Sequence, residues 1–317
     1  MNGIINVYKE KGYTSHDVVA KLRGILKQKK IGHTGTLDPQ AEGVLPVCIG
    51  NATKLCDLLT DKTKEYEAVL LLGVTTDTQD TTGAVLSEKT VQVEEDKLRA
   101  IMEGFVGKSR QIPPMYSALK VNGKKLYELA REGREVERKP RDIEIFSLDI
   151  LEMQLPRVRF CVHCSKGTYI RTLCQDIGEK AGCGGCMEEL LRTRVDRFSL
   201  AEAHKLSEIE QIRDARKLSE ILIPVDQMFL SYPKVTVLEK YRLALANGNS
   251  FTAQMLADDM VGTADNTGKA DREVTKAAQI HDGSFVRVYS AEDVFYGIYQ
   301  YTQAEKRFIP YKMFLPQ

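Results

Sequence analysis

No stretch of this sequence is long and apolar enough to cross a bilayer: the longest apolar run, AVLLLGV at 68–74, falls far short of the roughly 20 residues that a spanning helix needs. The start, MNGIINVYKEKGY, lacks the cationic beginning and apolar core of a secretory signal, so a cytoplasmic location is the expectation. Net charge is nearly absent too, +1 over 317 residues. That balance leaves nucleic acid open as a partner, because a binding footprint can be local. Histidine is scarce, with five in all, and no G-x-S-x-G elbow occurs; a serine or cysteine hydrolase would have to be assembled from scattered residues. FVGKS at 105–109 ends like a phosphate-binding loop, but Met102 stands where the first glycine belongs. A helical pattern precedes it where that loop requires a strand, so nucleotide hydrolysis is set aside. Fixed-period repeats and low-complexity tracts are missing as well.

What is present is ordinary globular composition, 43% apolar and 28% charged, on a length that suits two domains or one large domain with an appendage. Seven cysteines in a chain without a secretion signal read as reduced thiols. Four of them, Cys161, Cys164, Cys183 and Cys186, have a spacing that fits structural zinc on paper. The first pair, however, sits in RVRFCVHC, which alternates as a strand, and residues three apart on a strand point to opposite faces. No metal site is expected.

Strand and helix patterns alternate along the chain. Ser15 is positioned to cap a helix whose apolar positions are Val18, Val19, Leu22, Ile25 and Leu26, with Lys27, Lys29 and Lys30 following its end. A strand-like GVLPVCIG precedes a short helix over 52–59 with Asn51 as its cap, and a long strand is expected over 64–74. TTDTQDTTG at 75–83 reads as a loop, and residues 93–105 as a helix that turns Leu98, Ile101, Met102 and Phe105 to one side. Residues 108–141 hold ten Lys or Arg against four Glu, broken by IPP, by a hairpin-like VNG turn and by a short helix. Tyr116 and Tyr127 are interleaved with this charge, a pattern suited to tracking phosphates and stacking on bases. Strands near 142–153 and 157–164 lead to a helix capped by Thr168 and ended by Gly182. Beyond SYPKV at 231–235, short segments and a β-rich end suggest a small separate module.

The loop GHTGTLDPQAEGVLP, residues 32–46, presents a carboxylate, Asp38, with no metal-binding neighbour and only Glu42 as a nearby acid. Hydrolysis usually recruits a second carboxylate or a metal. KEYEAVLLLG places Tyr66 on a strand, SKGTYIRTL places Arg171 at a helix start, and the two could meet Asp38 over one flat aromatic substrate.

In GHTGTLDPQAEGVLPVCIGNATK, KEYEAVLLLGVTTDTQDTTG, QIPPMYSALKVNGKKLYELAREG and CSKGTYIRTL, occurring in that order, the chain resembles the bacterial tRNA pseudouridine-55 synthases over essentially its whole length. The resemblance implies an α/β (α+β) fold: a mixed-sheet catalytic domain over 1–230 with a thumb-like insertion at 108–141, and a small β-rich, PUA-like RNA-binding domain over 231–317. It implies isomerisation of uridine in the T-loop of tRNA, without cofactor, with Asp38 as nucleophile, Tyr66 as active-site tyrosine and Arg171 as the arginine paired with the aspartate. His33 resembles the residue that takes up space in the RNA loop when the uridine is flipped out, Lys54 and Lys120 the phosphate contacts, and Tyr169 and Leu190 the pocket walls. Relatives commonly carry a histidine in the region where this chain has Cys186, which is accordingly given no polar role.

The chemistry agrees with a solitary acid. The bond from ribose C1′ to uracil N1 breaks, the base turns while bound, and C1′ is rejoined to C5, so no water needs activating. The nucleophile must remain charged in a pocket that excludes water, a demand that an opposing arginine meets. Attack at C1′ and attack at C6 both remain open. A stand-alone monomer acting on the T-arm is the expected form. The alternatives are a guide-RNA-dependent subunit, a type that lacks the thumb-like insertion, and a non-catalytic tRNA-binding or tRNA-folding protein.

Overall fold

Alternating apolar residues in KEYEAVLLL and RVRFCVHC build the centre of the fold, as seen in a computed structural model that describes residues 1–121, 123–257 and 280–315. The chain separates into two compact units. One comprises 6–47 and 55–218; the other gathers 1–5, 48–54 and 219–317.

In chain order the strands up to residue 199 are β1 (Gly3–Lys9), β2 (Ile31–His33), β3 (Glu42–Ile49), β4 (Lys64–Leu72), β5 (Val74–Thr76), β6 (Val85–Glu88), β7 (Gly107–Gln111), β8 (Lys120–Val121), β9 (Lys124–Lys125), β10 (Arg141–Gln154), β11 (Arg157–Cys164), β12 (Gly185–Val195) and β13 (Phe198–Ser199). Helices α1 (Ser15–Leu26), α2 (Cys56–Thr60), α3 (Glu95–Glu103), α4 (Leu126–Arg131) and α5 (Ile170–Lys180) lie between them, and α6 (Leu206–Asp214) follows. The main sheet runs β1-β3-β12-β4-β11-β10-β7, with β2 on β3 and β13 on β12. It is mixed: β12 runs parallel to β3 and antiparallel to β4. This bears out the expected α/β class.

Period-two alternation assigns the faces. Ala68, Leu70 and Leu72 of β4 and Val158, Phe160, Val162 and Cys164 of β11 are buried against Leu98 and Met102 of α3 and Leu173, Cys174 and Ile177 of α5. The other face is laced with ion pairs, Arg159 to Glu67 at 2.8 Å and to Glu189 at 3.1 Å, and Arg194 to Glu65 at 3.1 Å. An antiparallel array can leave such a face in water. Cys161 lies half-buried on that side, whereas Cys164, Cys183 and Cys186 are buried.

Several local expectations change. Thr14, not Ser15, caps α1, in a reciprocal box with Asp17 (Asp17 N to Thr14 Oγ1 3.0 Å, Thr14 N to Asp17 Oδ2 2.8 Å). Ser15 is thereby released for a different contact, described below. Asn51 caps no helix: residues 50–55 form a 3₁₀ turn, and the Asn51 amide donates to the Phe314 and Leu315 carbonyls at 3.0 and 3.2 Å. The strand from Lys64 stops at Leu72 because Gly73, at φ +86°, turns the chain. Thr168 donates to the Ser165 carbonyl at 3.0 Å, and Tyr169 occupies the N-cap of α5 without a side-chain bond.

The basic region also divides. Residues 107–111 pair with β10 as the edge strand of the main sheet, so the chain departs from the sheet only after Gln111 and returns at Arg141. Between them, β8 and β9 form the hairpin, with Gly123 at φ +84°; Asn122 of its turn lies outside the described residues.

The other unit holds β14 (Lys234–Val237), β15 (Phe251–Thr252), β16 (Phe285–Ser290), β17 (Phe295–Thr302) and β18 (Arg307–Met313), in the order β14-β16-β17-β18-β15. Val235, Val288, Phe251, Tyr299 and Phe308 fill its core.

Helix α5 reaches the site only because it packs tightly on β12. A Cβ at Gly178 would overlap the backbone of Gly184 and Gly185. Alanine gains about 1 kcal/mol over glycine in a free helix interior, yet Gly178→Ala is expected to destabilise the protein by about 3 kcal/mol through overpacking. Urea denaturation checks the sign; a stabilised variant would contradict the close approach.

Candidate active site

The loop after β2 is stitched down on both sides of Asp38. The Thr34 N–H and hydroxyl donate to the Pro46 carbonyl at 3.2 and 3.1 Å, and Thr60 donates to the Thr34 carbonyl at 3.0 Å. Ser15, freed from capping, accepts from Leu37 N at 2.9 Å and donates to Leu37 O at 3.3 Å. On the far side, Gly12 N donates to Pro39 O at 2.8 Å. The wholly buried Lys9 ammonium donates to the carbonyls of Ala41, Pro39 and Glu10 at 2.6, 3.1 and 3.1 Å. A backbone fixed this way holds its carboxylate in one place.

Arg171 meets that carboxylate, its Nε 2.9 Å from Asp38 Oδ2. The arginine is buried at the first turn of α5, whereas Asp38 is 37% exposed. The remaining guanidinium nitrogens donate to Thr78 O at 3.0 Å and Tyr116 O at 2.8 Å, and Asp80 Oδ2 lies 3.9 Å away. Asp80 organises its own loop, its Oδ1 accepting from both the hydroxyl and the N–H of Thr82 and from the Thr78 hydroxyl. TTDTQDTTG is therefore the wall behind the arginine as well as a turn.

Asp38, Tyr66, Tyr169, Arg171, Leu190 and Arg192 line one cavity of about 570 Å³. Tyr66 is buried on β4, and burial, ahead of every other influence, raises its pKa while the Arg192 cation opposes the rise. Tyr169 is clasped by the buried Gln111, which accepts from Tyr169 N at 2.8 Å and donates to Tyr169 O at 3.0 Å. Burial also raises the Tyr169 pKa.

The other three expected site residues lie outside the lining. His33 sits at the end of β2, edge-on to His16 with centroids 5.3 Å apart. Burial first, then the His16 and Arg192 charges, lowers its pKa below the ordinary histidine value. Its Nδ1 accepts from Gly35 N at 3.4 Å. Lys120 is exposed on β8, immediately after the lining residues Ala118 and Leu119. Lys54 belongs to the unit that contains the C-terminal sheet, and its ammonium donates to Met313 O at 2.8 Å.

Lys9, Lys64, Asp80, Gln111 and Arg192 were not singled out from the sequence. Lys64 lines the cavity, donates to Thr60 O and Lys62 O at 2.7 and 2.5 Å, and burial brings its pKa down to about 8. A usable signal existed for Lys9, a cation in step with the inward Ile5 and Val7 of β1. No group of acids, histidines and cysteines among the described residues has the arrangement of a metal site, and none of their helices is long and apolar enough to cross a membrane.

A family model described as TruB family pseudouridylate synthase (N terminal domain) matches residues 23–170, and one described as tRNA pseudouridylate synthase B C-terminal domain matches 171–230. A protein of Lachnoclostridium phytofermentans named tRNA pseudouridine synthase B is 54% identical, over 99% of this chain and 100% of that one. Another of that name, from Alkaliphilus oremlandii, is 48% identical over 81% of this chain and 85% of its own. Among solved structures, a chain of an H/ACA ribonucleoprotein bound to a substrate RNA containing 2′-deoxyuridine superposes with a TM-score of 0.68 at 25% identity, covering 99% of this chain and 85% of that one. A chain of a Cbf5–Nop10–Gar1 complex gives 0.67 at 27% identity, covering 99% and 84%.

Lys9 supplies a test of the buried loop anchor. Burial is the largest influence on its pKa and lowers it from 10.5 to about 8, so between those values the unfolded chain binds more protons than the folded one. The stability that the neutral amine allows is present above pH 10.5 and is lost as pH falls through about 8. The stability difference between the unsubstituted chain and Lys9→Met should accordingly shift in favour of the lysine by about 2 kcal/mol from pH 7.5 to pH 9.5. Urea melts of both proteins at the two pH values measure it, and an unchanged difference would refute the charged burial.

Proposed function

We propose how the reaction is performed in a chain that belongs to the TruB family of tRNA pseudouridine synthases and isomerises uridine to pseudouridine in tRNA: Asp38 is the nucleophile, Arg171 its counter-ion, Tyr66 the group at the uracil ring, and uridine 55 of the T-loop the target. The observation that carries this reading is the 2.9 Å pairing of Asp38 with a buried guanidinium inside a cavity lined by two tyrosines and a leucine.

The uridine leaves the RNA stack and enters this cavity. There Tyr66, Tyr169 and Leu190 offer flat and apolar walls to the base, while Asp38 reaches either C1′ of the ribose or C6 of the ring. Arg171 holds the carboxylate oriented for attack, and pairs with it again once the covalent bond to Asp38 has broken. Tyr66 then assists removal of the C5 proton, directly or through water. The ribose is rejoined to the base and the proton lost from C5 is balanced by one gained at N1, so the reaction calls for no hydrolytic water and no cofactor. His33, neutral and edge-on to His16, fills the space that the flipped base vacates.

The region from Gln111 to Arg141 serves as the thumb that closes on the RNA backbone, with Lys120 at its hairpin and Tyr116 tied to Arg171 at its base. Residues 231–317 act as an RNA-binding module of the PUA kind, an assignment supported by exposed aromatic surface such as Tyr311, whose ring packs 4.8 Å from that of Phe285. The insertion, together with high identity to proteins named for tRNA, favours a monomer that acts without guide RNA or protein partner over the ribonucleoprotein arrangement of the structural neighbours.

Purified protein incubated with an unmodified T-arm stem-loop is expected to form pseudouridine with no added factor. Asp38→Asn should keep RNA affinity in a filter-binding assay and lose turnover. Turnover by the Asn variant, or loss of binding by a folded one, would mean that the nucleophile had been misassigned.

A further inference from the structure

Arg192 is among the most deeply buried large side chains of the molecule, 2% exposed, and nothing in the reaction as described above uses it. Its position is heavily determined. On β12 it is the direct cross-strand partner of Tyr66 on β4, and directly opposed residues of an antiparallel pair present their side chains on the same face. On the other side it is in register with Gly43 of β3, where a Cβ would overlap the Arg192 carbonyl, so only glycine lets the two strands approach this closely. The guanidinium donates from Nε to Val44 O at 2.7 Å and from Nη1 to Thr36 O at 3.4 Å. Thr36 lies two residues before Asp38 in the nucleophile loop.

The contacts with Val44 and Thr36 use carbonyls, which leave the positive charge uncompensated by any carboxylate among the ion pairs of the described residues. That charge lies on the cavity face it shares with Tyr66, where burial raises the pKa of the phenol and the Arg192 cation opposes the rise by favouring the ionised form. A simple structural arginine would satisfy its nitrogens and face away from the cavity; this one lines it together with Tyr66 and Asp38.

We propose that Arg192 is a positioning residue for the isomerisation: it fixes the Tyr66 hydroxyl against the uracil ring and stabilises negative charge on the phenolic oxygen as the C5 proton is removed. The inference rests on the assignment of Tyr66 to that step. After C1′ is joined to C5, that carbon carries both the ribose and a hydrogen. The Tyr66 oxygen, its own proton given up to solvent, takes the C5 hydrogen as a proton. The C–H electron pair becomes the C5=C6 double bond, and the N1=C6 pair returns to N1, which gains a proton from solvent. Arg192 enters only through the tyrosine oxygen, so its effect must vanish when that oxygen is absent.

A double-mutant cycle reads this directly. Single-turnover conversion of a T-arm stem-loop is measured for the unsubstituted chain, Arg192→Lys, Tyr66→Phe and the double variant, with melting temperature and RNA affinity recorded for each. Arg192→Lys is expected to slow conversion about tenfold in the presence of Tyr66, and to make no further difference in the Tyr66→Phe background. Arg192→Gln, which keeps a donor near Val44 without the charge, should behave likewise and serves where the lysine variant does not fold. Effects that multiply in the double variant would show that Arg192 acts through the Asp38 loop or as a general support, and would overturn the proposal. So would an undiminished rate in the single arginine variants. Absence of pseudouridine with the unsubstituted chain would instead count against the T-arm assignment, which separates the two failures.

Discussion

The buried guanidinium of Arg171 is the constraint on which the rest of the site depends. A cation in the first turn of a helix opposes the helix dipole, and one withdrawn from water costs several kcal/mol unless it is paired and hydrogen-bonded. Arg171 meets both costs by recruiting Asp38, Asp80 and the carbonyls of Thr78 and Tyr116. Those groups come from the Asp38 loop, the threonine-rich loop and the segment that leaves the sheet after Gln111, three segments that no local interaction would bring together. Assembly of the site and satisfaction of the arginine are thus one event. An unpaired Arg171 would be a folding defect and, on the proposed roles, a catalytic one.

Much of the fold could be read from period and composition. The strands at 141–154 and 157–164 and the helix at 15–26 follow from simple alternation and helical spacing, because each buries one face only. Caps were less legible. Thr14 and Ser15 are both good N-caps, and the choice between them is made by Leu37, 22 residues beyond Ser15 in sequence. Asn51 and Thr168 likewise found partners that helix-start statistics cannot foresee. The beginning of the basic region misled for a related reason: Lys108 and Arg110 look like surface charge, yet they lie on an edge strand, where exposed cations are common.

At the site, Asp38, Tyr66 and Arg171 could be picked out singly, as positions in loop, strand and helix start, and their roles came from the family resemblance rather than from residue type. Their convergence depends on the register between β4, β11 and β12, which is set by packing across the whole sheet. The supporting residues were hidden by the same fact. Gln111 and Arg192 are polar side chains on inward strand positions whose partners are backbone groups, which carry no signature in a sequence; Lys9 alone kept a signal, its step with Ile5 and Val7.

Other carbonyl-held cations would serve either route of the proposed reaction equally. Lys64 and Arg171 border the cavity, and most of their hydrogen bonds run to neutral carbonyl oxygens. If Asp38 attacks C1′, uracil departs as an anion; if it attacks C6, negative charge spreads over the ring carbonyls. Either route places negative charge on the base while it lies between these cations and Tyr66. Fixed charges aimed at a developing anion in a site with little water stabilise it with no reorganisation at the moment of reaction. On the proposed assignment of Asp38, a lone carboxylate is then sufficient as the chemical participant, with buried cations standing where a second acid or a metal stands in a hydrolase.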